Sequence, residues 1–328
     1  MHRTPRTLIR DRASALVHGD TLRLSLYDAP SGDPGLFGPD SVVWRVHADL
    51  PGMLMGGIAA LMLQTLHPLA MAGVDQFSDY RSDPIARLNR TARFVSVTSY
   101  GSTHEAEAAI ARVRRVHEGI RGTAPDGRPY AAGDPRLLTW IHVAEAACFL
   151  RGYEVFGPRG DALTSADRDS YFREAATVAQ RLGAADVPRS AAEVRAYFDA
   201  IRPELAVTDA ALEAVRFFRS IDPSPGVRPA VRILMGGAIS LLPPWASDAL
   251  NLRRTRLSTA LVYRPAAHAL GAVLRYATHP SPIVTTATAR TRIPTQRGLG
   301  ADDRHTPPGR LKTRSPRSRS RFHSRPTA

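Results

Sequence analysis

Four sets of side chains in this sequence have types and spacings suited to chemistry. His117 lies between Thr103 and Arg121, where Ala106, Ile110, Val113, His117 and Ile120 recur at alternating spacings of four and three. That period puts them on one helical face, with Arg112 and Arg115 opposite. An imidazole on an apolar face needs a hydrogen bond, a charge partner or a metal, since leaving it unmet costs about 1–3 kcal/mol. His117 therefore reads as a metal ligand or as a satisfied core histidine. His142 and Glu145 stand three apart, so a helix makes them neighbours. They read as a carboxylate-oriented base or ligand, or as a local structural pair. His67 precedes Pro68, a place where helical geometry is disfavoured. It reads as a pocket-lining group at a helix break, or as a helix-end histidine facing the last carbonyls. Arg87, Arg90 and Thr91 share a helical face and suit an oxyanion, a carboxylate or bound dioxygen. The alternative is a solvated arginine face.

The elements that must position these groups are helices. Pro51 suits the start of an apolar helix running toward His67, and Asp134-Pro135 is an N-cap followed by a first-turn proline. Thr164 or Ser165 opens a helix that Gly183 stops. Ser190-Ala-Ala-Glu193 has capping-box spacing, and Thr208 caps a further helix. The alternation Val95, Val97, Ser99 is compatible with a short strand. No strand–helix alternation points to a parallel sheet, so the expected class is all-α. Dinucleotide, Walker and HExxH motifs are absent, so the commonest motif-based functions lack support.

Composition limits the function classes further. The single cysteine, Cys148, excludes an internal disulfide and a multi-cysteine metal cluster. The net charge of +14 is concentrated at the C-terminal end, since residues 281–328 hold eleven basic and two acidic residues. Forty-three of the 44 basic residues are arginine, a compositional skew that weakens any argument from arginine identity alone. The region 281–328 is rich in Arg, Ser, Thr and Pro and is expected to be a disordered extension; the alternative is electrostatic contact with nucleic acid or anionic lipid. Aromatic interleaving is lacking there, so no specific nucleic-acid partner is expected. Leu50 to Val74 is uncharged, but Pro51, Gly52, His67 and Pro68 interrupt it, and a buried helix is expected rather than a membrane span. The first twenty residues are charged throughout and lack an apolar core, so a secretory signal is not expected and a cytoplasmic location is.

Taken in order, several fragments resemble one family. They are Leu63 to Pro68 with Gly73-Val74, Asp83-Pro84, Arg87 and Arg90-Thr91, then Glu105-Ala106, Arg112 to His117 and Gly122. Tyr130 to Pro135 with Leu137 to His142, Tyr171 to Glu174 and Pro188 to Tyr197 follow. The family contains the rubber oxygenases (latex clearing proteins) and the fungal oxygenase MpaB, and the resemblance covers roughly residues 30–245. It implies a single globin-like all-α domain over residues 31–280 enclosing haem b, after an N-terminal extension of residues 1–30. It also implies a haem-dependent oxygenase using dioxygen on a small apolar substrate, an alkene or isoprenoid. The Arg-x-x-His pattern of the family's axial ligand matches Arg114 and His117, so His117 is expected to hold the iron. His67 and His142 are further candidates at the cofactor. Arg87, Arg90 and Thr91 match an Arg-Lys-Thr distal set in which Arg90 replaces the lysine. An arginine stays protonated, so distal ligation by that side chain is not expected. The alternatives are a non-haem metal site built from His67, His142 and Glu145, and a non-catalytic binding protein with a basic tail.

Overall fold

Glycine and proline decide how this chain packs. The computed structural model describes residues 4–18, 22–220, 226–252 and 255–292, and these lie within one compact unit. The helices are α1 (Pro5–His18), α2 (Val42–His47), α3 (Leu50–Gln64), α4 (Pro68–Phe77), α5 (Pro84–Tyr100) and α6 (Thr103–Glu118). A small hairpin follows, β1 (Arg121–Thr123) paired antiparallel with β2 (Pro129–Ala131), Gly122 opposite Tyr130. Then come α7 (Pro135–Phe156), α8 (Ser165–Leu182), α9 (Ala191–Ile201), α10 (Asp209–Ser220), α11 (Arg228–Ile239) and α12 (Pro244–Ala249). The last are α13 (Arg256–Ser258), which runs through a π-turn into α14 (Arg264–Thr278), and α15 (Pro282–Thr291). The fold is all-α, as expected.

The long helices start where side chains replace missing backbone partners. Asp49 accepts from the Gly52 amide at 3.0 Å, Asp83 from Ala86 at 3.0 Å, and Asp134 from Arg136 at 2.8 Å. Each is followed closely by proline, whose fixed φ suits a first turn. Thr164 and Asp167 cap α8 reciprocally, and Gly183 ends it at φ 106°.

The core is organised around α3 and α7, whose backbones touch. A Cβ on Gly152 would lie 2.3 Å from the Gly52 carbonyl oxygen, and one on Gly56 would lie 2.6 Å from that of Cys148. Around this contact Met55, Met62, Leu63, Trp140 and Phe156 are wholly buried. Each such side chain contributes on the order of 1.5–3 kcal/mol of burial. The pair Asp49–Arg275 joins the start of α3 to α14 through two bonds of 2.5 and 3.0 Å, with the Asp49 side chain almost completely buried.

Three expectations change here. Val95, Val97 and Ser99 are helical, because the Asp83 cap sets α5 going and its stripes at three and four continue through them. Residues 281–292 are ordered as the end of the domain. Ile283, Ala287 and Arg290 of α15 are buried, and Arg290 donates to the carbonyls of Asp33, Tyr27 and Tyr100 at 2.8–3.0 Å. The expected disorder of the remaining tail, residues 293–328, lies outside the described residues. Part of the N-terminal extension is also integral, since α1 packs against α14 and α5. The uncharged stretch 50–74 is two helices bent by 104°, and no single described helix is long and apolar enough to cross a membrane.

Gly152→Ala is expected to lower the unfolding free energy by about 1–3 kcal/mol through overpacking. Gly57→Ala, whose Cβ would meet Phe149 at an ordinary 3.5 Å, is expected to be neutral or to add up to about 1 kcal/mol of helix propensity. Urea titration of both variants checks this, and equal effects would show that the backbone contact is not limiting.

Candidate functional site

Alongside the α3–α7 pair lies a cavity of about 1140 Å³. One stripe of α5, from Pro84 through Leu88, Thr91, Ala92 and Val95 to Ser99, forms a wall. At 1.5 Å per residue that stripe runs for about 22 Å. A stripe of α3 forms another, with Leu50, Leu54, Ile58, Leu61 and Gln64. Phe149 and Glu145 face in from α7, His47 from α2, Leu234 and Met235 from α11, and Tyr276 from α14. Most of this surface is hydrocarbon, so the polar groups on it stand out.

Glu145 is one of them. Burial pushes its carboxyl up to about 7, and it makes no hydrogen bond or ion pair among the described residues. One turn away, burial pushes His142 down to about 4. Glu145 lines the cavity, whereas His142 is not among its lining residues.

His47 sits in a fully connected relay. Ser99 donates to the Val95 carbonyl at 2.7 Å, so its oxygen accepts from His47 Nδ1–H at 2.7 Å. His47 Nε2 then accepts from the Tyr171 hydroxyl at 3.1 Å. Burial pushes this imidazole down to about 3. With both ring nitrogens engaged, His47 is a neutral polar wall group whose lone pair is already used. It was not singled out in the sequence, yet Val43, Val46 and His47 show the same mixture of apolar helix face and imidazole that drew attention to His117.

The other expected residues separate in space. Arg87 and Thr91 are on the cavity wall. The Arg87 guanidinium donates to Ser78 Oγ at 2.7 Å, and Thr91 donates to the Arg87 carbonyl at 3.2 Å. Arg90 is exposed, paired with Asp79 at 2.6 Å and not on the wall. His117 falls on the inner face of α6, as its period requires: Ala106 and Ile110 are buried, and Val113 and His117 are half-buried. Burial lowers its pKa, and its side chain has no hydrogen-bond partner among the described residues. However, α6 contributes no side chain to the cavity. Arg114, on the same helix, is exposed. His67 is buried at the N-terminus of α4 with its ring 6.1 Å from that of Trp140, its Nδ1 lacks a partner, and it too is off the wall.

The alternative of a non-haem metal site from His67, His142 and Glu145 is not assembled. Among the described residues no three His, Cys, Asp or Glu side chains converge closely enough to hold a metal ion. The reason is positional: His67 belongs to the α3–α4 corner, while Glu145 faces the cavity from mid-α7.

These burials fix the sign of a pH effect. His47 and His142 are held neutral, so the stability they contribute is present above pH 6.5 and is lost as the pH falls through about 4 and then 3. Glu145 acts oppositely: its favourable neutral form is complete below pH 4.5 and is lost as the pH rises through about 7. Glu145→Gln is therefore expected to raise the unfolding free energy by about 1–3 kcal/mol at mildly alkaline pH and to change it little in acid. Denaturant titrations across the range check this; a gain that is the same at every pH would show that the carboxyl does not titrate as placed.

Comparison with known proteins bears on what such a cavity serves. No curated protein and no solved structure matches this chain. A family model described as "ER-bound oxygenase mpaB/B'/Rubber oxygenase, catalytic domain" matches residues 44–275, which run from within the relay helix α2 through the Asp49–Arg275 pair. That stretch contains the α3–α7 core and most of the cavity wall, and the chain belongs to this family of oxygenase catalytic domains.

Proposed function

We propose that this protein is a haem-dependent oxygenase acting on an apolar molecule that carries an alkene. The observation that carries the reading is the conjunction, within an oxygenase catalytic domain, of a long apolar cavity and a neutral imidazole with no other partner.

The imidazole of His117 has the donor chemistry of a haem ligand, although α6 does not reach the cavity wall. A ligand nitrogen must be unprotonated, and burial keeps this ring so. Its lone pair is also not spent on another described side chain, unlike that of His47. We assign His117 as the residue that would hold the iron. When bound, the haem supplies the activation of dioxygen. The chain supplies the rest. The hydrocarbon of α3 and α5 takes up an apolar substrate and keeps water out, which strengthens every polar interaction inside. Glu145 holds or releases a proton on its carboxyl oxygen within this dry space, with a pKa close to neutral. The relay from Tyr171 to Ser99 holds the far end of the α5 wall in place.

The separation of His117 from the cavity wall gives the two parts separate tests. His117→Ala is expected to lose the Soret band of protein expressed with haem available while keeping the helical far-ultraviolet dichroism of the parent. Retention of the band would overturn the ligand assignment. A folded parent protein with no band at all would remove haem from the reading and leave the apolar cavity to be explained otherwise.

A further inference from the structure

Five arginines reach the cavity, and four have an evident place. Arg45 is paired with Asp161 and lies 3.6 Å from Asp167. Arg275 is paired with Asp49. Arg10 lies 3.6 Å from Asp11, and Arg6 is exposed, donates to the His279 carbonyl and stands over the Tyr276 ring. Arg87 differs. It is half-buried, and its one described hydrogen bond goes to Ser78, a neutral hydroxyl. It forms no ion pair among the described residues. The nearest acid, Asp79, is held by Arg90 at 2.6 Å. The Tyr80 ring, 5.8 Å away, offers only a weak face contact.

A guanidinium desolvated without a carboxylate is costly, and burial does lower its pKa. Its planar fork of donors matches a carboxylate in two parallel bonds. From Arg87 the α5 wall continues through Leu88, Ala92 and Val95 to Ser99, about 18 Å of helix facing the apolar stripe of α3. A half-buried cation without an ion pair among the described residues, at one part of a largely hydrocarbon channel, is the complement of an amphipathic acid.

We propose that Arg87 is an anchor for a carboxylate in this cavity, and that the carboxylate is the terminus of an elongated apolar chain lying between α3 and α5. This deepens the reading of the cavity as a substrate site and rests on it. The same chemistry has a second source, a propionate of a bound porphyrin, and the test separates the two.

Calorimetric titration of the 328-residue chain as expressed would compare dodecanoate, dodecan-1-ol and methyl dodecanoate. The parent protein is expected to prefer dodecanoate by about tenfold or more, since a charge-assisted pair exceeds one factor of ten. Arg87→Met is expected to remove that preference and leave the alcohol affinity unchanged. Arg87→Lys keeps the charge without the fork and is expected to retain part of the preference, which guards against a folding defect in the methionine variant. If the parent shows no preference but Arg87→Met loses haem that the parent retains, the carboxylate belongs to the porphyrin. Equal affinities in the parent with haem content unaffected in Arg87→Met, or a preference that survives the substitution, overturn the anchor. None of these binding readouts needs turnover. A preference for dodecanoate in protein without a Soret band would keep the anchor and remove the haem, and the converse result would do the opposite.

Discussion

The rest of this structure depends on the contact of two helix backbones. Gly52 and Gly56 on α3 meet Gly152 and the Cys148 carbonyl on α7 with no side chain between them. Helices that approach so closely cannot also be separated by a ligand, so the free volume of the domain is displaced to one flank. There α5 stands off from α3 and leaves the cavity. The Asp49–Arg275 pair, buried at the same end of α3, then ties α14 over the arrangement. Removing Arg275 would leave the nearly buried Asp49 carboxylate without its charge partner.

The chemistry of the cavity follows from the burial of its ionisable groups. Protein and hydrocarbon around Glu145, His142 and His47 favour their neutral forms, which raises the carboxyl and lowers the imidazoles. The same burial leaves the Glu145 carboxyl titrating near neutral pH and makes His47 a fixed dipole, because the one has no partner among the described residues and the other has two. Arg87 cannot escape by losing its proton, since a guanidinium stays charged. Its situation calls for an anion, whereas that of Glu145 calls only for a proton.

Helix α5 has a different neighbour on each face. Arg87 and Thr91 look into the cavity, Arg90 looks outward to Asp79, and α6 with His117 packs along α5 without reaching the wall. The family assignment rests on the match of one family model to residues 44–275, which include the motifs read in the sequence. Those motifs bring together residues that the fold then distributes over two sides of one helix.

Much of the framework was legible without coordinates. Aspartate or threonine caps next to proline, the glycine after Leu182, and the apolar stripe carrying His117 each act within a turn or two, where local geometry leaves few options. The all-α class and the family motifs were readable for the same reason. The strand reading of Val95 to Ser99 failed because a cap twelve residues earlier had already set the backbone period. Only tertiary structure decided the site itself. Nothing in the chain order joins Asp49 to Arg275, 226 positions away, or His47 to Ser99 and Tyr171. Nor could spacing tell that Arg87 faces a cavity while Arg90, three residues on, meets solvent, or that Glu145 lines the space that His67 does not. A helical period determines which residues share a face; what that face meets depends on helices far away in sequence.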